Sequence, residues 1–310
     1  MSFVLVSSKR FVDHVTPVGH PERPERAEVF NAVAAAFAAK GGQVLEPRAA
    51  IDADLERVHT REHIDLIVAT RGRATMIDED TFTSPESDDI ARLAAGAVLT
   101  GIDHALDGPA GSKALVMVRP PGHHAEADRA MGFCFYNNVA VGAAYARSRG
   151  CARVAIVDYD VHHGNGTQWI FYEDPTVLVV SSHQYPFYPG TGAASEKGRG
   201  AGLGFTLNIP LDAGAQDAEI ERKYAEQVLP ALRQFAPDLM IVSAGFDAHE
   251  LDPLGQLRMT TAGFARLTQV LWDDAGALCQ GRVVMVTEGG YDLGAVSQCL
   301  TAIVESSVPS

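Results

Sequence analysis

Seven short runs of mostly apolar residues punctuate the chain. They are "FVLV" from Phe3, "ALVMV" from Ala114, "VAIV" from Val154, "VLVV" from Val177, "FTLNI" from Phe205, "DLMIV" from Asp238 and "VVMV" from Val283, with "QVLEP" from Gln43 as a weaker eighth. A strand with one wet face alternates apolar and polar residues. Continuous apolar runs suit strands buried on both faces, as in a parallel sheet. Helical patterns fall between the runs. Pro24 to Ala39 is Ala-rich and stops at "GG" after Lys40. Asp88 to Leu106, Asn137 to Arg149, Asp217 to Phe235 and Thr261 to Leu278 repeat apolar residues at helical spacing. This alternation predicts one α/β domain over residues 1–310, with a mostly parallel sheet flanked by helices.

Composition narrows the function. The chain has 310 residues, 46% hydrophobic and 21% charged, which suits a soluble globular protein with a sizeable core. Its formal charge of −14 argues against nucleic acid as the main partner. No apolar stretch approaches the roughly 18 residues of a membrane span. The N-terminus "MSFVLVSSKR" does not read as a signal peptide, and the four cysteines form no CxxC pair. The expected location is the cytoplasm, with no membrane partner.

In parallel sheets, reactive residues gather just past the carboxyl ends of strands. Five of the runs end in dense polar, glycine-rich segments: "RPPGHH", "DYDVHH", "SSHQYPFYPG", "SAGFDAHELD" and "TEGGYD". That pattern reads as an enzyme. Asp160 and His162 are two residues apart at an extended strand end, so both side chains fall on one side of the chain. Asp247 stands at another strand end, 85 residues beyond His162. Three protein ligands and one open position make a catalytic zinc site, although two carboxylates and one imidazole also suit Fe(II) or Mn(II).

The segments "RPPGHHAEADRAMGFCFYNNVA", "VAIVDYDVHHGNGTQ", "SSHQYPFYPGTG", "GFDAHELDPLGQ" and "EGGYD", in that order, resemble the zinc-dependent histone deacetylase superfamily. The likeness is to its class II-like branch of bacterial deacetylases and acetylpolyamine amidohydrolases. "HPERPERAEVF" at His20 is similar to that family's N-terminal signature, so the resemblance runs from about His20 to Asp292. It implies the arginase/deacetylase fold with an eight-stranded parallel sheet. It implies one Zn2+ on Asp160, His162 and Asp247, and a structural K+ or Na+ on carbonyls around Asp158, Asp160, His162 and Ser181. His123 and His124 match the tandem catalytic histidines, with Asp158 behind His123. Tyr291 matches the donor to the substrate carbonyl. Phe133 and Phe187 match the walls of the acyl-lysine channel, and Gly132 its glycine. The implied substrate is an acylated lysine in a peptide or protein, or a small N-acyl amine.

Asn165 stands where some relatives carry a second aspartate. A neutral amide orients His124 without stabilising its charge, so His124 should deprotonate more easily; which histidine is the acid stays open. Leu254 stands where polyamine-selective relatives can carry a glutamate, which leans toward acyl-lysine. The segment from Gly72 to Ser87 also lacks the long insertion of some polyamine enzymes. A non-catalytic acyl-lysine reader would be expected to lose Tyr291 or a ligand, and a binuclear arginase-like enzyme would need more carboxylates than "DYDVHHGN" holds. "KGRGAGLG" precedes a strand rather than a helix, the wrong context for a phosphate cradle. Cys134 reads as packing. Arg26 reads either as lining an internal pocket or as a surface salt bridge, and His20 lies near the channel. The other histidines show no comparable arrangement, and oligomeric state stays open, a homo-oligomer included.

Overall fold

All seven runs form strands, and "QVLEP" supplies the eighth. The computed structural model describes residues 2–307; the expected outer bounds, 1 and 310, lie outside the described residues. In chain order the strands are β1 (Phe3–Val6), β2 (Gln43–Leu45), β3 (Thr75–Asp78), β4 (Thr81–Thr83), β5 (Lys113–Val116), β6 (Val154–Asp158), β7 (Val177–Gln184), β8 (Thr206–Leu211), β9 (Leu239–Ala244) and β10 (Val283–Thr287). Eight form one sheet in the order β2-β1-β5-β10-β9-β6-β7-β8. Every pairing in it is parallel. The remaining two, β3 and β4, make a separate antiparallel hairpin.

The two faces of the sheet explain the unbroken apolar runs. Ala155 and Val157 of β6 join Met240 and Val242 of β9 in one core. Val154 and Ile156 join Leu239 and Ile241 in the opposite core. Successive residues of a strand point to opposite faces, so burial on both sides leaves no room for a polar alternate. Helices Glu25–Ala39, Thr261–Leu278 and Leu293–Ser307 cover the first face. Helices Ser87–Asp107 and Asn138–Ser148 cover the second.

One predicted helix is interrupted. The expected span from Asp217 to Phe235 is helical at Asp217–Lys223 and Leu229–Phe235, with a π-helical turn at Tyr224–Val228 between. Pro230 lacks the N–H for an i→i−4 bond, and a wider turn just before it accommodates the loss. Leu293–Ser307 and the short helices Asp52–Leu55 and Arg61–Val68 were not in the predicted set. None of the helices among the described residues is long and apolar enough to cross a membrane.

The crossover from β5 to β6 passes over β10 and β9, which the chain fills only later by doubling back from β8. The order of strands therefore reverses near the middle of the sheet. The carboxyl ends of β5, β10, β9 and β6 meet there, where an open α/β sheet forms its crevice.

Candidate metal centre and active site

Past the end of β6, Asp160 and His162 turn toward Asp247, which follows β9. Each offers one ligand atom, and the three atoms lie within 4.8 Å of one another. His162 Nδ1 is 3.1 Å from Asp160 Oδ1 and 3.2 Å from Asp247 Oδ2. Backbone donors fix the two carboxylates. Gly289 N–H donates to Asp160 Oδ2 at 2.8 Å, and Val161 N–H donates to Asp247 Oδ1 at 2.9 Å. Only glycine fits at 289, because a Cβ there would lie 2.0 Å from Asp247 Oδ2 and 2.6 Å from Asp160 Oδ2. The loop after β10 thus packs its bare backbone onto both acids.

Both carboxylates are fully buried. Burial, and then the charge of Asp160, push Asp247 up to about 7. Against its own burial, Asp160 is held down by His123 and His162. Burial opposes charge on His162 too, but Asp160 and Asp247 raise it to about 10. Two buried carboxylates aimed at one ring nitrogen carry more negative charge than one imidazole neutralises. A single Nδ1 also supplies at most one proton to two acceptors. The donor set fits a divalent cation bound by two oxygens and one nitrogen.

The tandem histidines follow β5 and differ sharply. His123 Nδ1 lies 2.9 Å from Asp158 Oδ2, and His123 Nε2 lies 3.8 Å from Asp160 Oδ1. Burial lowers its pKa, but Asp160 and Asp158 outweigh burial and lift it to about 10. A dication among the acids would draw that value back down. His124 Nδ1 lies 2.8 Å from Asn165 Oδ1. The Asn165 amide nitrogen donates to Glu126 Oε1 at 2.8 Å, so its oxygen must be the atom facing His124. His124 therefore donates from Nδ1 and keeps a lone pair on Nε2. Burial, then His123 and His162, hold its pKa well below the ordinary value. This lowering runs in the direction expected for a histidine behind a neutral amide.

These groups open into a cavity of roughly 110 Å³. It is lined by Asp80, Pro121, His123, His124, Gly132, Phe133, His162, Tyr188, Leu254 and Tyr291. Asp158 and Asn165 stand behind the histidines. Burial and the charge of Asp247 raise the Tyr291 phenol, which keeps its proton. One expected wall is displaced by a residue. Phe187 does not line the cavity; its ring stacks on His162 at 5.3 Å and 16°, and Tyr188 takes the wall. The Phe133 ring meets His20 edge-on at 4.7 Å. Cys134 is buried beneath, its thiol pushed up by burial.

Several contributors gave no signal in the sequence. Asp80, at the tip of the β3–β4 hairpin, accepts from Gly132 N–H at 3.2 Å, and Thr81 Oγ1 accepts from Phe133 N–H at 3.1 Å. Glu288 accepts from the N–H groups of Gly122 and His123 at 2.7 and 3.2 Å, pinning the histidine-bearing loop. Burial raises Glu288 to about 7. Asp252 accepts from Tyr291 N–H at 2.7 Å. Arg26 is not a surface salt bridge. It is fully buried and donates to the Gly290 carbonyl at 2.7 Å and to Glu22 at 3.0 Å. Apart from the Arg26–Glu22 pair, these contacts join side chains to backbone groups of distant segments, and a bond to backbone leaves no residue pattern.

A model of the histone deacetylase domain matches residues 20–307, nearly the whole chain. The chain belongs to the histone deacetylase family. It is 42% identical over 296 residues to histone deacetylase 15 of Arabidopsis thaliana, covering 92% of this chain and 52% of that protein. A probable deacetylase of Archaeoglobus fulgidus is 37% identical, over 93% of this chain and 81% of its own. A histone deacetylase-like amidohydrolase of Pseudomonas aeruginosa is 41% identical, over 83% and 68%. The crystal structure of the HDA15 HD domain superposes with a TM-score of 0.91 at 39% identity, covering 99% of this chain and 89% of that one. The eight-stranded parallel domain is therefore the family's fold. The chain spans about half the length of the Arabidopsis protein, 52%.

Proposed function

We propose that this histone deacetylase family member is a zinc-dependent amidohydrolase. It removes an acetyl or related acyl group from the Nε of acyl-lysine or a lysine-like amine. One observation carries the reading: Asp160, His162 and Asp247 converge on one point beside a cavity that His123, His124 and Tyr291 also line. Those three residues would hold the ion. When bound, Zn2+ lowers the pKa of a water to about 7 and polarises the amide carbonyl.

The chain's own groups supply the rest. His124, neutral with Nε2 free of its Asn165 bond, takes the proton of the attacking water and returns it to the departing amine. His123 is held by Asp158 at 2.9 Å, which fixes its ring beside the place where negative charge develops. Tyr291 donates to the carbonyl oxygen as that oxygen gains charge. Gly132, Phe133, Tyr188 and Leu254 surround the aliphatic stem and exclude water. Phe187 steadies His162 instead. The proposal includes a structural K+ or Na+ on carbonyls around Asp158, Asp160, His162 and Ser181; Asp158 and Ser181 are register partners on β6 and β7.

Leu254 in the lining favours a lysine stem over a second ammonium group. Asp80 in the same lining supports the other reading, an acetylpolyamine or similar small amine, although that carboxylate already accepts from Gly132 and Thr81. Retention of Tyr291 and all three ligand residues supports catalysis over passive binding of acyl-lysine. The test is a hydrolysis panel of acetyl-, trifluoroacetyl- and longer-acyl-lysine peptides against acetylated putrescine and spermidine, each with a chelator control. Faster turnover of the lysine peptides, abolished by chelator, supports the proposal. Preference for the polyamines would reverse the substrate choice, and chelator-resistant turnover would reject the metal.

A further inference from the structure

Tyr291 sits on a short connection that has neither ladder nor helix to hold it. β10 ends at Thr287 and the last helix begins at Leu293. The backbone between them is tied down by acids from elsewhere in the chain. Asp160 takes Gly289 N–H, and Asp252 takes the N–H groups of Tyr291 and Asp292. Asp252 Oδ2 accepts from Tyr291 N–H at 2.7 Å and from Asp292 N–H at 3.2 Å. Its other oxygen accepts from Leu254 N–H at 3.0 Å. Asp252 is 7% exposed, and none of the described ion pairs includes it. Backbone dipoles alone satisfy it. The last helix does not need it as a cap, because Asp292 Oδ1 already accepts from Ala295 N–H at 2.7 Å.

Tyr291 and Leu254 both line the cavity, and they come from different segments. One buried carboxylate thus joins the two walls through their backbones. We propose that Asp252 is a positioning residue for catalysis: it sets Tyr291 and the Leu254 loop in one register, so that the phenol meets the substrate carbonyl. This rests on the proposed role of Tyr291 as hydrogen-bond donor. On the far side Arg26 holds the Gly290 carbonyl and lies 5.2 Å from the Tyr291 ring, which leaves Asp252 to fix the near side.

Asp252→Asn keeps the shape but replaces one acceptor with an NH2 group. One of the two arms must then face donor to donor. Misplacing a reacting group by about 1 Å costs about a hundredfold in rate. Four proteins decide the matter: wild type, Asp252→Asn, Tyr291→Phe and the double variant, each checked for zinc content and melting temperature. The expected result is a fall in kcat of about ten- to a hundredfold for Asp252→Asn, with KM within about threefold. In the Tyr291→Phe background the same change should cost less than about threefold, because the group it positions is gone. Equal losses in both backgrounds would overturn the positioning role and leave Tyr291 untouched. A fully active Tyr291→Phe would overturn the role of Tyr291 and this proposal with it. Asp252→Ser is the second variant; if neither folds with wild-type zinc content, Asp252 is a stability residue and the proposal fails.

Discussion

Gly132 offers the sharpest single perturbation of the proposed base. Its φ is +58°, and a Cβ built on it would lie 2.5 Å from His124 Cδ2 and 2.8 Å from Cγ. Ordinary contact begins at 3.4 Å, so the ring must retreat by 0.9 Å, the difference 3.4 − 2.5. It has little freedom to do so. His124 is buried, and its Nδ1 is tied to Asn165 at 2.8 Å. Gly132→Ala should therefore displace the base by nearly 1 Å, at a cost of about a hundredfold in kcat. The left-handed backbone adds only about 1–2 kcal/mol of strain, a drop in Tm of about 2–4 °C. Gly41→Ala is the control, since Gly41 has a φ of +85° and nothing within 4 Å. It should lose only this backbone share of stability, without the overpacking cost at Gly132, and no activity. The assay is steady-state hydrolysis of an acetyl-lysine peptide by zinc-replete protein, with melting curves alongside. Gly132→Ala with more than half the wild-type kcat would refute the placement of His124.

Other changes probe separate parts of the account. Asn165→Asp puts a carboxylate against His124 and raises its pKa; since the base must be neutral, the rise of kcat/KM with pH should move up by about one unit or more, and an unmoved profile would contradict His124 as base. Tyr188→Ala should raise KM while sparing zinc content, whereas Phe187→Ala should weaken zinc retention through the loss of its stack on His162; the reverse pattern in metal analysis and kinetics would restore Phe187 to the wall. Arg119 donates to both Glu22 oxygens at 2.8 Å within a fully buried cluster, so Arg119→Met should cost about 3–5 kcal/mol in urea unfolding, and a loss under 1 kcal/mol would show that Glu22 finds another partner.

Legibility in the sequence followed the kind of physics at each position. Strands buried on two faces announce themselves, because no residue in Val154–Val157 or Val283–Val286 escapes the core. The β3–β4 hairpin does not: Met76 is 59% exposed, and its strands are too short for a pattern. The last helix carries apolar residues at Val296, Leu300 and Ile303, yet it starts beside Gly294 and directly after a glycine-rich turn. Within the site, Asp160, His162 and Asp247 were visible by type and spacing, and the tandem histidines and Tyr291 through the resemblance of their motifs. Asp160 and His162 alternate onto one side, and Asn165 pointed to a His124 that deprotonates more easily. Glu288, Asp252 and Asp80 were not visible, because each holds a backbone N–H from a remote segment. The exchange between Phe187 and Tyr188 has the same origin. Two adjacent aromatic rings are equivalent in a sequence, and only the path of the loop after β7 decides which one reaches the cavity.

Anomalous diffraction at the zinc edge, on crystals of protein purified with zinc, addresses the metal centre without recourse to any substrate. One peak per chain is expected, about 2.0–2.2 Å from ligand atoms of Asp160, His162 and Asp247, with its remaining side toward the cavity bounded by Tyr291 and His124. A peak elsewhere, or an ion enclosed by protein on every side, would contradict the account.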